Sequence, residues 1–164
     1  MEEEMRILGI DPGLQVCGYA CLEASQGREE LVEAGVIRTN GELAIEKRLD
    51  QIAADMEAIL DKFRPELVAV EQLYSHYVHP RTSILMGHAR GVILQTCAAA
   101  GVEVRSFSAT RIKKSVTGNG RASKEQMQKT IQTVLRLREL PNPADVADAI
   151  AAAVCCSETM RKYI

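Results

Sequence analysis

The order of predicted strands and helices restricts the fold of this chain more than any other feature. Three β-rich segments come first, over residues 5–11, 17–24 and 30–38, separated by turns at 11–13 and 25–27. An amphipathic helix over 42–63, a strand over 67–71, a helix over 83–100 and a strand over 102–107 follow. Residues 109–116, 123–137 and 143–160 are predicted to be helical. This succession predicts an α/β fold, with a five-stranded mixed sheet flanked by helices on both faces.

Two acidic residues end strands that we expect to lie side by side. Asp11 closes the first strand and Glu71 closes the fourth. The helix between these strands permits a right-handed crossover, which would make the two strands parallel neighbours. Both carboxylates would then lie at the carboxyl edge of the sheet, where open α/β sheets bind ligands.

The last helix carries a second pair of acids. Asn142 and Pro143 predict its start, with Asn142 as the N-cap and Pro143 in the first helical position. Asp145 and Asp148 are then three residues apart on one face of the first two turns. The neighbouring residues are mostly alanine, which would let this helix approach the sheet closely.

Four carboxylates at one edge of a sheet indicate a metal site. Together they would repel one another unless cations were bound, and a pair of Mg²⁺ ions about 4 Å apart is a common device for phosphodiester cleavage. Single acids have simpler explanations: Asp11 before Pro-Gly can stabilise a turn, and Asp145 can interact with the helix dipole. Glu71 and Asp148 lie in apolar surroundings, where an acid without a partner is costly. The set as a whole favours a metal-dependent nuclease.

The charge of the chain is strongly polarised although the net charge is only −2. Residues 1–60 contain 13 acids and 5 bases. Residues 105–138 contain one acid, Glu125, and nine bases: Arg105, Arg111, Lys113, Lys114, Arg121, Lys124, Lys129, Arg136 and Arg138. Such a segment can bind a phosphate backbone through its local cation density. The alternative is that these side chains form a solvated helix face.

Composition narrows the class of protein. A chain of 164 residues with 46% hydrophobic residues suits a single domain over 1–164. No apolar run approaches the roughly 18 residues of a membrane span, and the acidic start does not resemble a secretory signal. We therefore expect a cytoplasmic protein without membrane association. The five cysteines lack the spacing of a zinc site and are interpreted as reduced core thiols.

Several motifs together resemble the RuvC Holliday-junction resolvases of bacteria. They are Ile7-Leu8-Gly9-Ile10-Asp11-Pro12-Gly13 with Gly18-Tyr19, Val70-Glu71-Gln72, Gly87-His88-Ala89-Arg90-Gly91-Val92, the stretch from Lys113 to Lys124, and Asn142 to Ile150. The resemblance covers nearly the whole chain. It implies a ribonuclease H-like fold, a homodimer, two Mg²⁺ ions per subunit that Mn²⁺ can replace, and paired nicking of four-way DNA junctions. It also implies a branch-migration helicase as a partner.

The resemblance assigns roles to individual residues. It places the four catalytic, metal-binding acids at Asp11, Glu71, Asp145 and Asp148. Our hypothesis is that Asp11 bridges both ions, Glu71 and Asp148 each hold one, and Asp145 completes the shell or orients water. The DNA-binding set is Tyr74, Arg81, Arg111, Lys113, Lys114, Arg121 and Lys124. Of these, Lys113 and Lys124 match the family's junction-contacting lysines.

The loop after Glu71 departs from the family pattern. Tyr74 occupies the position of an aromatic residue that wedges at the junction centre, and it can still stack on a base. His76 and His79 could in principle bind a metal, but imidazole is a poor ligand for Mg²⁺, so we interpret them as solvated or phosphate-facing. We expect the subunit interface to include the helix carrying Arg90, with Ile84, Leu85, Val92 and Leu94.

Three other functions share part of this pattern. The Gly-Ile-Asp-x-Gly strand also opens actin-like sugar kinases, but that fold requires a second copy of the domain. A resolvase-like nuclease of pre-ribosomal RNA shares the fold and chemistry, but typically lacks the basic helical segment. A non-catalytic junction-binding module would not need all four acids.

Overall fold

The computed structural model describes residues 4–73 and 79–161. Five strands and five helices form in the described part of the chain. In chain order they are β1 (Met5–Asp11), β2 (Val16–Ser25), β3 (Arg28–Arg38), α1 (Ile45–Phe63), β4 (Leu67–Glu71), α2 (Pro80–Ala99), β5 (Glu103–Phe107), α3 (Ala109–Thr117), α4 (Lys124–Val134) and α5 (Ala144–Arg161). Every predicted strand and helix is present, so the predicted order of elements is confirmed.

The strands form one mixed sheet in the order β3-β2-β1-β4-β5. The first three strands are an antiparallel meander, whereas β1 pairs with β4, and β4 with β5, in parallel. The predicted parallel pairing of the first and fourth strands is therefore correct. It follows from α1, whose amphipathic face covers the sheet while the chain returns to start β4 beside β1.

Both faces of the central strands are buried. Leu8 and Ile10 of β1 pack under α1 and α2, whereas Ile7 packs on the other face under α5. The same alternation holds in β4, where Val68 and Leu67 belong to opposite faces. This double burial explains why the β4 sequence is an almost uninterrupted apolar run.

Helix α5 is the most deeply buried helix among those described. Residues 146–157 are buried apart from Asp148, and most of them are alanine or cysteine. Their small side chains let the helix backbone lie almost directly on β1 and β2. All five cysteines are buried and none forms a disulfide, as expected for reduced core thiols.

The predicted start of α5 was wrong by one residue. The helix begins at Ala144, and Pro143 precedes it in a cis peptide bond with Asn142. Asn142 therefore does not occupy the N-cap position. Asp145 and Asp148 nevertheless lie in the first two turns, as expected.

None of the helices described is long and apolar enough to span a bilayer.

Candidate active site

Asp11 and Glu71 lie at the same edge of the sheet. The register of the β1–β4 pair matches Ile10 with Val70, so the two acids are the next residues along neighbouring parallel strands. Glu71 also pairs with Phe107 at the end of β5. The carboxyl ends of the three parallel strands thus meet where the sequence predicted the site.

Two glycines bring α5 and its acids to this edge. Gly18 of β2 pairs with Asp11, and a Cβ atom built on Gly18 would lie 2.0 Å from the carbonyl oxygen of Asp145. A Cβ atom on Gly9 of β1 would lie 1.9 Å from the carbonyl oxygen of Ala149. Only glycine fits at either position, because nonbonded carbon and oxygen atoms do not approach so closely. Because Gly9 and Gly18 have no Cβ atoms, the backbone of α5 can lie against β1 and β2, and this close packing brings Asp145 and Asp148 towards Asp11.

The four carboxylates interact electrostatically. The pKa of Asp11 is raised to about 8, chiefly by burial and also by the charges of Asp148, Glu71 and Asp145 and by a hydrogen bond with the Asp145 side chain. Burial, followed by the charge of Asp148, also raises the pKa of Glu71. A group of acids with raised pKa values is a marker of a functional site, and here it marks negative charge that the protein does not fully neutralise.

Two lysines offset part of this charge. The pKa of Asp148 is raised by burial and by Asp145, whereas Lys124 and Lys113 lower it. Lys113 also opposes the rise in the pKa of Glu71. Through Lys113 and Lys124, the basic segment therefore reaches the acidic edge of the sheet.

A cleft of about 170 Å³ contains these groups. Its lining combines two acids and two lysines with apolar residues: Glu71, Asp148, Lys113, Lys124, Ala109, Ile112, Met127 and Ala151. Local sequence places both lysines. Ser108 caps the start of α3, and a capping box between Ser123 and Gln126 starts α4 immediately at Lys124. The cleft can hold a phosphate group between cationic and anionic walls.

The carboxylates suit a hard divalent cation by charge and donor type. Over residues 4–73 and 79–161, no three His, Cys, Asp or Glu side chains form a closed ligand set. This does not conflict with magnesium chemistry, because Mg²⁺ keeps several waters and usually binds one or two carboxylates together with substrate phosphates. The buried acids with raised pKa values supply the negative charge that such an ion would neutralise.

The other predicted DNA-binding residues that the structure describes do not line this cleft. Arg111 and Lys114 line a separate groove of about 350 Å³ between α3 and α5. There the Arg111 guanidinium lies 5.1 Å from the centre of the Phe107 ring and donates a hydrogen bond of 3.2 Å to Thr159 Oγ1. Arg81 and Arg121 are exposed. Tyr74 and His76 lie outside the described residues.

Three side chains on or next to α2 differ in their surroundings. His79 is exposed just before the first turn, and His88 is exposed further along. Arg90 is half-buried and faces the sheet: its Nε donates to the backbone oxygen of Glu71 at 3.3 Å and its Nη2 to Ser106 Oγ at 3.0 Å. The sequence analysis placed only the helix carrying Arg90 at a subunit interface and missed this contact of Arg90 itself. The signal that could have revealed it is an isolated arginine within an apolar helix.

Comparison with known proteins identifies the family. The sequence model described as crossover junction endodeoxyribonuclease RuvC matches residues 7–156. The chain belongs to the RuvC family. RuvC of Rhodopirellula baltica is 48% identical over 149 residues, which cover 91% of this chain and 84% of that protein. RuvC of Heliobacterium modesticaldum is 42% identical over 156 residues, which cover 95% and 96%.

The fold agrees with this membership. A solved structure described as T. thermophilus RuvC in complex with Holliday junction substrate matches with a TM-score of 0.91 and 29% identity, covering 97% of this chain and 96% of that one. The predicted ribonuclease H-like fold is confirmed. Within this RuvC family member, the cleft between Glu71, Asp148 and the two lysines is the candidate active site.

Proposed function

We propose that this protein is an endonuclease that resolves four-way DNA junctions by paired, symmetric nicks in recombination and repair. The observation that carries the proposal is the electrostatic interaction of Asp11 with Glu71, Asp145 and Asp148 at the carboxyl edge of the sheet, which raises the pKa of Asp11. Membership of the RuvC family supports it, and so does the similarity to T. thermophilus RuvC, which was solved in complex with a Holliday junction substrate. A single domain over 1–164 suits this role.

The four acids would hold Mg²⁺, or Mn²⁺ in its place, with two ions per subunit. When bound, these ions make water a stronger nucleophile at neutral pH and stabilise the leaving oxygen. Lys113 and Lys124 would bind the phosphates on either side of the scissile bond, since both face the acids across the cleft. Ile112, Met127 and Ala151 are buried apolar residues that line the same cleft.

Three alternatives are less well supported. An actin-like kinase needs two copies of the domain, whereas residues 7–156 of this chain match the RuvC family model. A nuclease of pre-ribosomal RNA would not need the basic segment, whose Lys113 and Lys124 reach the acids. A junction-binding module without activity would not need four partly buried carboxylates that repel one another, because their repulsion lowers the stability of the fold.

A labelled four-way junction tests the proposal directly. We expect the protein to nick the junction symmetrically in Mg²⁺ or Mn²⁺. Ca²⁺ should support binding with little turnover, because its coordination is larger and looser. A matched RNA duplex should remain intact. Strong activity in excess chelator, or preferential cleavage of the RNA, would contradict the proposal.

Symmetric nicking is most simply achieved by two copies of the site, so we also propose that the protein is a homodimer. On α2, Ile84 is 62% exposed, and Leu85, Val92 and Leu94 are partly exposed. These side chains provide an apolar surface for a second copy. Light scattering should report a dimer at micromolar concentration, and a monomer both free and on DNA would refute the assignment. We also propose that the protein acts in the cytoplasm together with a branch-migration helicase.

A further inference from the structure

The segment that joins β1 to β2 is held by hydrogen bonds from three side chains, those of Cys17, Thr39 and Arg48. Asp11 is the last residue of β1, and residues 12–15 form this segment. Its course therefore determines the direction in which the chain leaves Asp11. The contacts described below involve the backbone of the segment and do not use the Asp11 carboxylate.

Cys17 holds the segment from within. Its Sγ donates a hydrogen bond of 2.7 Å to the backbone oxygen of Gly13 and accepts one of 3.3 Å from the Gly13 N–H. A Cβ atom on Gly13 would lie 2.2 Å from the backbone oxygen of Val16, so the turn is too tight for any residue with a side chain. This part of the segment has little freedom to move.

Thr39 and Arg48 hold the segment from outside. Thr39 follows the last residue of β3, and its Oγ1 donates a hydrogen bond of 2.6 Å to the backbone oxygen of Leu14. Arg48 of α1 donates from Nε to Thr39 Oγ1 at 3.0 Å and from Nη2 to the Leu14 oxygen at 3.4 Å. The Thr39 N–H donates to the backbone oxygen of Gln15 at 3.2 Å. One hydroxyl thus connects the segment to α1.

The core completes this attachment. The Leu14 side chain is only 7% exposed and belongs to the cluster that contains Ile52 and Met56 of α1. Its backbone oxygen receives the hydrogen bonds of Thr39 and Arg48 described above. The segment after Asp11 is therefore fixed to α1 by side-chain packing and by hydrogen bonds.

We propose that Thr39 and Arg48 are positioning residues that hold the β1–β2 segment and thereby set the affinity of Asp11 for its divalent cation. This inference rests on the proposed function, in which Asp11 is a metal ligand. Groups that hydrogen-bond to metal ligands commonly change metal affinity by about 10- to 100-fold when they are removed. Thr39 and Arg48 act one step further back, because they bind the backbone oxygen of Leu14 in the segment that follows Asp11. Ligands must also be held to within about 0.5 Å of their productive geometry.

A purely structural role predicts a different result. Loss of any buried hydroxyl hydrogen bond lowers the free energy of unfolding, whatever its distance from the site. Thr96 provides the matched control. It is buried on α2, and its Oγ1 donates to the backbone oxygen of Val92 at 2.9 Å. Thr96→Val removes a comparable hydroxyl without touching the β1–β2 segment.

The experiment measures Mn²⁺ binding by electron paramagnetic resonance in the absence of DNA, together with the thermal unfolding midpoint. Thr39→Val removes the hydroxyl at nearly constant shape and should weaken Mn²⁺ binding about tenfold. Thr39→Ser keeps the hydroxyl and should bind Mn²⁺ like the wild type. Thr96→Val should lower the midpoint and leave Mn²⁺ affinity unchanged. Arg48→Lys, which keeps the charge but loses the paired donors, should weaken Mn²⁺ binding and serves if Thr39→Val does not fold.

Equal Mn²⁺ affinity in the wild type, Thr39→Val and Arg48→Lys would overturn the positioning role alone. An equal loss of affinity in Thr96→Val would also overturn it, because the effect would then follow general stability. Absence of Mn²⁺ binding in the wild-type protein would overturn the metal site of the proposed function and this inference with it. The two failures are therefore distinguishable.

Discussion

Replacing Gly18 with alanine should separate α5 from the sheet and misplace its acids. The added Cβ atom would lie 2.0 Å from the carbonyl oxygen of Asp145 and 3.1 Å from the Asp145 Cβ. The helix must move by about 1 Å before the first contact reaches 3.0 Å, and a displacement of about 1 Å can cost on the order of 100-fold in rate. Overpacking of this kind also lowers the free energy of unfolding by about 1–3 kcal/mol.

Single-turnover cleavage of a labelled four-way junction measures the effect of Gly18→Ala on the chemical step. Junction affinity and denaturant unfolding, measured on the same preparations, show whether the variant is folded and still binds. Gly41→Ala is the control, because no atom lies within 4 Å of a Cβ at that position. Cleavage by Gly18→Ala at the wild-type rate would refute the claim that close packing of α5 sets the position of its acids.

Three further predictions concern charge and the loop after Glu71. Because the pKa of Asp11 is raised to about 8, the metal-free folded state binds more protons than the unfolded state, and stability should fall as pH rises from about 4 to 8. In chelator-treated protein, Asp11→Asn should make the free energy of unfolding fall less with pH. The same pH dependence in the variant and the wild type would contradict the raised pKa of Asp11. Lys113→Ala and Lys124→Ala should each lower the slope of log K against log salt by about one on every DNA shape, unlike Lys129→Ala, whose ammonium pairs with a carboxylate on its own helix. Tyr74→Ala should weaken binding to junctions by roughly 1–3 kcal/mol and leave duplex binding unchanged; equal losses would exclude a wedge.

The strands were predictable because their sequence signals are local. Apolar runs bounded by Pro and Gly gave β1 and β4 with the observed limits, Met5–Asp11 and Leu67–Glu71. Their parallel pairing followed from the single helix between them. The start of α5 was predicted one residue too early, because a capping pattern places a helix boundary only to within one or two residues.

The acidic residues of the site could be predicted from the sequence, whereas the contacts around them could not. Residue type and position along the strands brought Asp11 and Glu71 to one edge, as the register shows. The contact between Gly18 and Asp145 joins residues far apart in sequence, and no local pattern specifies such an approach. The direction of a long side chain is also set by tertiary packing, and Arg90 therefore contacts the end of β4 although its sequence suggested an interface.

Asp148→Asn tests the central claim most directly. Asp148 lies in the cleft with Glu71 and both lysines, and its charge acts on Asp11 as well as on Glu71. The amide keeps the shape of the side chain but removes the charge that would hold a cation. Cleavage rate and binding affinity should be measured on the same labelled four-way junction in Mg²⁺. The account predicts that cleavage is abolished while binding is nearly unchanged; cleavage at the wild-type rate would contradict it.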